Sequence, residues 1–363
     1  MADLRDIYND EKLQEIAEQF QIEVADFPVG DFLEKVQSDD WGELSLRQRH
    51  ERLARSVFEV LNRPYAQVAE ILQRVNDHAQ GFSYLFLPDI VSLYGLKELE
   101  LSLATLEVLT TGSSAEFAIR PFLEQDFEAT FAQMQVWASS HNEHHRRLAS
   151  EGLRPNLPWG KKVAAIQDHQ AEIFLLLEGL KADPSLYVRK SVANHLNDWT
   201  KTYPEEVLDL LEDWQGFSTE TDWICKQAAR TLLKSSHPRA LALFGYRSHL
   251  QLSRIVFSSA TSQVSQGDKL TVRYGVQLAS WERASKIRLE LQLGFVKKSG
   301  KLSYKTFMLK DSQIESGQEL SGQWTYDWTD KTTRKHQNGQ HILRFVVNGQ
   351  VVQEEVLEVV GFE

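Results

Sequence analysis

Apolar residues recur at spacings of three and four through roughly the first 245 positions, as in Ile16, Phe20 and Val24, or Leu53, Val57, Val60 and Leu61. That period predicts amphipathic helices. Breaks are short: Pro64 follows Asn62-Arg63, and Gly112-Ser113-Ser114 interrupts the next run. Late in this half a pattern repeats. Val188, Lys190, Val192, Ala193 and Leu196 recur 36 residues later as Ile224, Lys226, Ala228, Ala229 and Leu232. A helix of this kind recurring every 35–45 residues or so is the mark of HEAT-type helix pairs. Asp183-Pro184 reads as a capped start for the first copy and Thr221-Asp222 as a cap for the second. Past about Ser248 the period becomes two. Leu270, Val272, Tyr274, Val276 and Leu278 alternate, as do Ile287, Leu289, Leu291, Leu293 and Phe295. Asn348-Gly349 between two apolar runs predicts a tight hairpin. The expected fold is therefore multidomain: an all-α HEAT-like repeat solenoid over 1–248, then an all-β immunoglobulin-like sandwich of about seven strands over 249–363.

Composition narrows the setting. The 363 residues hold one cysteine, Cys225, so neither an internal disulfide nor a cysteine metal site can form. Cys225 aligns with Arg189 in the repeat and reads as a small, partly buried side chain. The opening MADLRDIYNDEKL is acidic and polar, unlike a secretory signal, and no apolar run is long enough to span a bilayer. A cytoplasmic location, no membrane and a monomer are expected.

The net charge of −11 argues against unaided attraction to nucleic acid. Charge is uneven, however. Residues 251–363 carry 15 basic and 12 acidic residues, whereas the first 250 carry 25 and 39. Arg146, Arg147, Arg154, Lys161 and Lys162 face only Glu151 within one short stretch. Phosphate contacts must come from such a patch.

The sequence has no G-x-x-x-x-G-K-[ST], no G-x-S-x-G and no HEXXH. His141, His144 and His145 form the one metal-like cluster, without a convincing third-position carboxylate, and read as a polar helix end; no metal or cofactor is expected. Three stretches are instead rich in acids, arginine and aromatics: SAEFAIRPF (114–122), HHRRLASEGLRPNLPWG (144–160) and DPSLYVRKSVANHLNDW (183–199). In the third, Ser191, Asn194 and Asp198 share a face apart from the apolar stripe. In the second, Gly152, Pro155 and Pro158 keep the chain irregular up to Trp159. Arginine and tryptophan on such a loop suit backbone clamping and base or sugar contact, or an inter-repeat loop with a plugging tryptophan. The acids also have ordinary readings. Glu116 stands four residues from Arg120, Glu151 four from Arg147, and Asp198 is placed to cap a following turn.

These three stretches, in this order and spacing, resemble the AlkC family of DNA alkylation repair proteins, within the HEAT-like-repeat glycosylases. The resemblance runs from the helical opening near Leu4–Phe20 to FVKKSGKLSYKTF and GQHILRFVVNG of the sandwich. It implies a monofunctional DNA glycosylase that needs no cofactor and acts on double-stranded DNA containing cationic N3-alkylated bases, 3-methyladenine and also 3-methylcytosine. It places catalytic acids at Glu116, Glu151 and Asp198, and a lesion-contacting aromatic at Trp159. Arg147, Arg154 and Lys190 fall at phosphate contacts, joined by Lys161 and Lys162. The loop 329–336, with Lys331, Arg334 and Lys335, reads as a second grip on DNA. The competing reading is a non-catalytic HEAT-type scaffold for bent or damaged DNA or for a protein. The catalytic reading requires the three acids to converge on one solvent-reachable spot.

Overall fold

The structure, a computed structural model, describes residues 4–38, 40–330 and 335–362. The chain divides into two units, Met1–Tyr203 with Asp213–Ala228, and Pro204–Glu212 with Ala229–Glu363. Among the described residues no helix is long and apolar enough to cross a membrane.

The first unit is helical, and its helix ends follow local chemistry. Asn9 caps Asp10–Glu23 by accepting from the Lys12 amide at 2.9 Å, and Asp126 and Asn142 cap later helices in the same way. The helix Leu46–Leu61 stops where Asn62 turns left-handed, φ 46°, just before Arg63-Pro64. Leu99–Gly112 ends at the predicted glycine break. A side chain at Gly112 would collide with the Asn76 amide, so the glycine permits a close approach there.

The helices Leu186–Trp199 and Thr219–Ala228 pack against each other, and the matched repeat positions Val188, Val192, Ala193, Ile224, Ala228 and Ala229 are all buried. Two local expectations are corrected. Asp183 does not cap the first copy. The helix starts after Ser185, and Asp183 instead takes a two-point contact from Arg146 at 2.6 and 3.0 Å. Thr221 and Asp222 lie inside the first turn of the second copy, and the hydroxyl of Ser218 accepts the Thr221 amide. The second copy also breaks at Ala229, after which Arg230–Lys234 starts a short new helix. Cys225 is fully rather than partly buried, and burial pushes its thiol up to about 12. It is no nucleophile.

In the second unit two sheets share one apolar core. Eight strands are described: β1 (Leu252–Ser259), β2 (Gln263–Ser265), β3 (Lys269–Leu278), β4 (Ser285–Val296), β5 (Leu302–Ile314), β6 (Glu319–Asp327), β7 (Gly339–Val347) and β8 (Gln350–Val360). They form a three-stranded sheet in the order β1-β3-β6 and a five-stranded sheet in the order β2-β8-β7-β4-β5. The period-two residues of β3 and β4 all point into this core, where Trp328, Phe345 and Phe257 meet them. The β7–β8 hairpin turns on Asn348 and Gly349, with φ 45° and 82°, and pairs Val347 with Gln350. The helices Arg230–Lys234 and Pro238–Leu243 belong to this unit.

Candidate active site

Glu116, Glu151 and Asp198 come from three separate segments and meet in one chain of alternating charge. Glu116 lies in the turn between Gly112 and Arg120, where Pro121 starts the next helix. Its carboxylate accepts from Arg147 at 2.9 and 3.3 Å and from the Ser114 hydroxyl. Glu151 ends the helix Glu143–Glu151. It stands 3.7 Å from Arg147, accepts from Arg154 at 2.6 Å and accepts the Ser191 hydroxyl at 2.6 Å. Asp198 is the penultimate residue of Leu186–Trp199 and accepts from Arg154 at 2.9 Å, with Lys201 at 3.6 Å. The order is thus Glu116, Arg147, Glu151, Arg154, Asp198.

Two of these acids occupy the wrong end of a helix. The C-terminal turn carries partial negative charge, so an acid there is disfavoured by up to about 1 kcal/mol. Arg154, shared by Glu151 and Asp198, offsets that cost. Burial acting alone would depress both guanidiniums, but the charges of Glu116 and Glu151 on Arg147, and of Glu151 and Asp198 on Arg154, hold both above the ordinary arginine value. Three carboxylates face two guanidiniums and, at the Asp198 end, the Lys201 ammonium, so the cluster is balanced in formal charge. The acids are buried, at 8, 7 and 4% exposure, and lie along one ion-pair chain with Arg147 between Glu116 and Glu151 and Arg154 between Glu151 and Asp198.

The loop after Glu151 is organised by Arg120. This buried guanidinium donates to the carbonyls of Gly152, Arg154 and Lys161 at 2.9, 3.0 and 2.5 Å. Burial, with Arg154 nearby, lowers it to about 10. Between those anchors Trp159 has φ 65° and is 60% exposed, so it plugs no core. For a bulky residue this is strained backbone.

Residues 107–238 match the DNA alkylation repair enzyme family, and residues 255–361 match the C-terminal Ig-like domain of the uncharacterised protein YhaZ. The chain is 39% identical to the uncharacterized protein YhaZ of Bacillus subtilis (strain 168) over 351 residues, which is 97% of this chain and 98% of that protein. The alkylpurine DNA glycosylase AlkC of Pseudomonas fluorescens, solved bound to DNA containing an abasic site analog, superposes with a TM-score of 0.95. It is 36% identical, over 99% of this chain and 100% of its own. The chain belongs to the AlkC family of DNA alkylation repair proteins.

Within this AlkC-type framework the remaining sequence-predicted residues fall as follows. Arg147 and Arg154, expected at phosphates, pair with the three acids instead, Arg154 buried and Arg147 partly so. Lys161, Lys162 and Lys190 are exposed. Lys335 is exposed on the sandwich and shares a cleft with Lys297 and Lys298 that has no acidic residue in its lining. Lys331 and Arg334 lie outside the described residues. Glu116 does not pair with Arg120, and Asp198 directs its carboxylate to Arg154 and not to a following turn. The histidine cluster is split. His145 lies against Ser140 and Glu107, while His144 meets the ring of Tyr187 edge-on at 5.7 Å.

Sequence reasoning missed the loop-organising role of Arg120 and missed Tyr187, whose ring lies 5.2 Å from the Arg147 guanidinium. For Arg120 the available signal was an arginine directly before a helix-starting proline. For Tyr187 no local signal existed.

Proposed function

We propose that the chain is a monofunctional DNA glycosylase acting, as a monomer, on double-stranded DNA that contains cationic N3-alkylated bases, with 3-methyladenine and 3-methylcytosine as substrates. The single observation that supports this best is the gathering of Glu116, Glu151 and Asp198 in one interleaved ion-pair chain.

Alkylation at N3 leaves the base positively charged, so it departs without protonation. As the C1′–N bond breaks, its electron pair returns to the base and the sugar becomes oxocarbenium-like. Fixed carboxylates beside that carbon lower the barrier, since they need no reorganisation as charge develops. Water adds to C1′ and gives up a proton, which one carboxylate can take. On this reading Asp198 and Glu116 serve the sugar, and Glu151 assists water or the cation. Arg147 and Arg154 hold the acids in place, which leaves Lys161, Lys162 and Lys190 for phosphates. Trp159 lies against the lesion nucleotide. Lys335, with Lys297 and Lys298, gives the sandwich a second contact to the DNA backbone.

The test is release of 3-methyladenine from methylated DNA under single-turnover conditions. Asp198→Asn should slow release by about a hundred- to a thousandfold, roughly 2–4 kcal/mol. No release by the wild type would favour the scaffold reading. Undiminished release by Asp198→Asn would remove Asp198 from the site.

A further inference from the structure

The turn that carries Glu116 is held by two neighbours. Glu116 itself meets Arg147 and Ser114. The next residue, Phe117, packs its ring against Arg47, whose guanidinium carbon stands 4.6 Å from the ring centroid. A cation over an aromatic face is attracted by the negative face of the ring. The turn is not helical, and the Ile119 amide closes it on the Ala115 carbonyl at 3.1 Å. Ala115, Ala118 and Ile119 are fully buried. Phe117 is only half-buried and lies in the wall of a cleft with Arg47 and Trp159.

Arg47 is fixed in its turn. It stands in the first turn of Leu46–Leu61 and pairs with the buried Asp89 of Phe86–Tyr94. Its guanidinium donates to Oδ1 of Asp89 at 3.1 Å and stands 3.1 Å from Oδ2. A further contact reaches Nδ1 of His50 at 3.1 Å. Burial, with Arg47 beside it, pushes His50 down to about 3, so the ring is neutral and this nitrogen accepts. Burial pushes Asp89 up to about 6 against the pull of Arg47, and the charges of Glu51 and Glu116 add to the rise. Asp89 therefore feels the charge of Glu116, although no hydrogen bond joins the two. The Arg147 contact comes from within the ion-pair chain of the acids. The Phe117 contact comes from outside it, from helices that precede the matched segment 107–238.

We infer that Arg47, held by Asp89 and His50, is a positioning residue for Glu116 and acts through the ring of Phe117. The inference rests on the glycosylase reading above. Arg47 touches no reacting atom. It holds the ring, the ring holds the turn, and the turn aims the Glu116 carboxylate. Aim matters because a fixed carboxylate stabilises the developing sugar cation only where that charge appears, and a misplacement of about 1 Å can cost about a hundredfold in rate.

The experiment uses the full chain. Phe117→Leu removes the ring without touching a charge. Arg47→Met combined with Asp89→Asn removes the guanidinium and leaves no buried carboxylate unpaired. Circular dichroism and melting check that each protein has folded. Single-turnover release of 3-methyladenine from methylated DNA, at saturating protein, should slow about tenfold or more in both, while affinity for the unmethylated duplex stays at the wild-type value. Phe117→Tyr, which keeps a ring for the guanidinium, should recover most of the rate. The deciding comparison repeats Phe117→Leu in a Glu116→Gln background, where it should add no more than about a twofold loss, since two residues that act as one unit are not additive. If Phe117→Leu does not fold, the Arg47→Met, Asp89→Asn protein takes its place in that comparison. Equal slowing in both backgrounds overturns the positioning role, and so does a wild-type rate after loss of the ring or the guanidinium. A wild-type rate for Glu116→Gln overturns it as well, because nothing is left to position. Failure of the wild type to release the base overturns the glycosylase reading, and the inference with it.

Discussion

Replacing Arg154 with glutamine separates two accounts of this residue. As a phosphate contact it would touch DNA and matter little to the free protein. In the structure it bridges Glu151 at 2.6 Å and Asp198 at 2.9 Å and is 7% exposed. Removing one partner of a buried pair costs ~3–5 kcal/mol, because the remaining charge stays desolvated and unpaired. Here two carboxylates are left, both at helix C-termini where the backbone adds to the repulsion. At roughly 2–4 °C per kcal/mol for a unit of this size, the helical transition should fall by on the order of 10 °C. Differential scanning calorimetry reads that shift, and DNA affinity measured against salt reads the other account. The slope of log affinity against log salt should stay at the wild-type value, since no phosphate contact is lost. An unchanged melting temperature with a slope reduced by about one would refute the assignment and return Arg154 to the phosphate backbone.

Three further outcomes follow from the same geometry. Trp159→Asn places a residue that tolerates left-handed backbone where Trp159 has φ 65°, so urea unfolding should show stability unchanged or raised by up to ~1 kcal/mol while base excision falls at least tenfold; a loss above about 2 kcal/mol would make Trp159 a core plug. His195 is fully buried, and burial with the charge of Arg154 pushes it down from 6.5 to about 3. Below pH 6.5 the unfolded chain binds a proton that the folded chain refuses, so stability drops as pH falls, by at most ~1.4 kcal/mol per unit from this group. His195→Gln should flatten the decline between pH 6.5 and 4.5, and curves parallel to wild type would contradict this. Gly349→Ala demands φ 82° of an L-residue and sets its Cβ 2.5 Å from Leu241, so chemical denaturation of the sandwich should show a loss above ~1 kcal/mol; an unaffected midpoint would mean the turn can relax.

The architecture was legible because it rests on periodicity. A stripe at three and four, a change to alternation near Ser248, and Asn-Gly between apolar runs each state a local geometric need. Those needs reappear as the helices, as the buried faces of β3 and β4, and as the left-handed Asn348 and Gly349. Caps were less legible. Asp183 and Thr221 are good capping types, but Arg146 and the register of Ser218 claimed those positions through contacts far off in sequence or one turn away.

By itself the sequence determined which residue types stand at Glu116, Glu151, Asp198 and Trp159, and that the helical part carries an excess of acidic residues. Only the tertiary structure decided what the arginines do. A guanidinium looks the same in sequence whether it meets a phosphate or an acid, since the choice depends on which carboxylates come within about 3 Å. Arg154 reaches Asp198 across 44 positions, and Arg147 reaches Glu116 across 31. Local pattern sets helices and strands because backbone geometry repeats over a few residues. Charge pairing acts through space, so it waits for the fold.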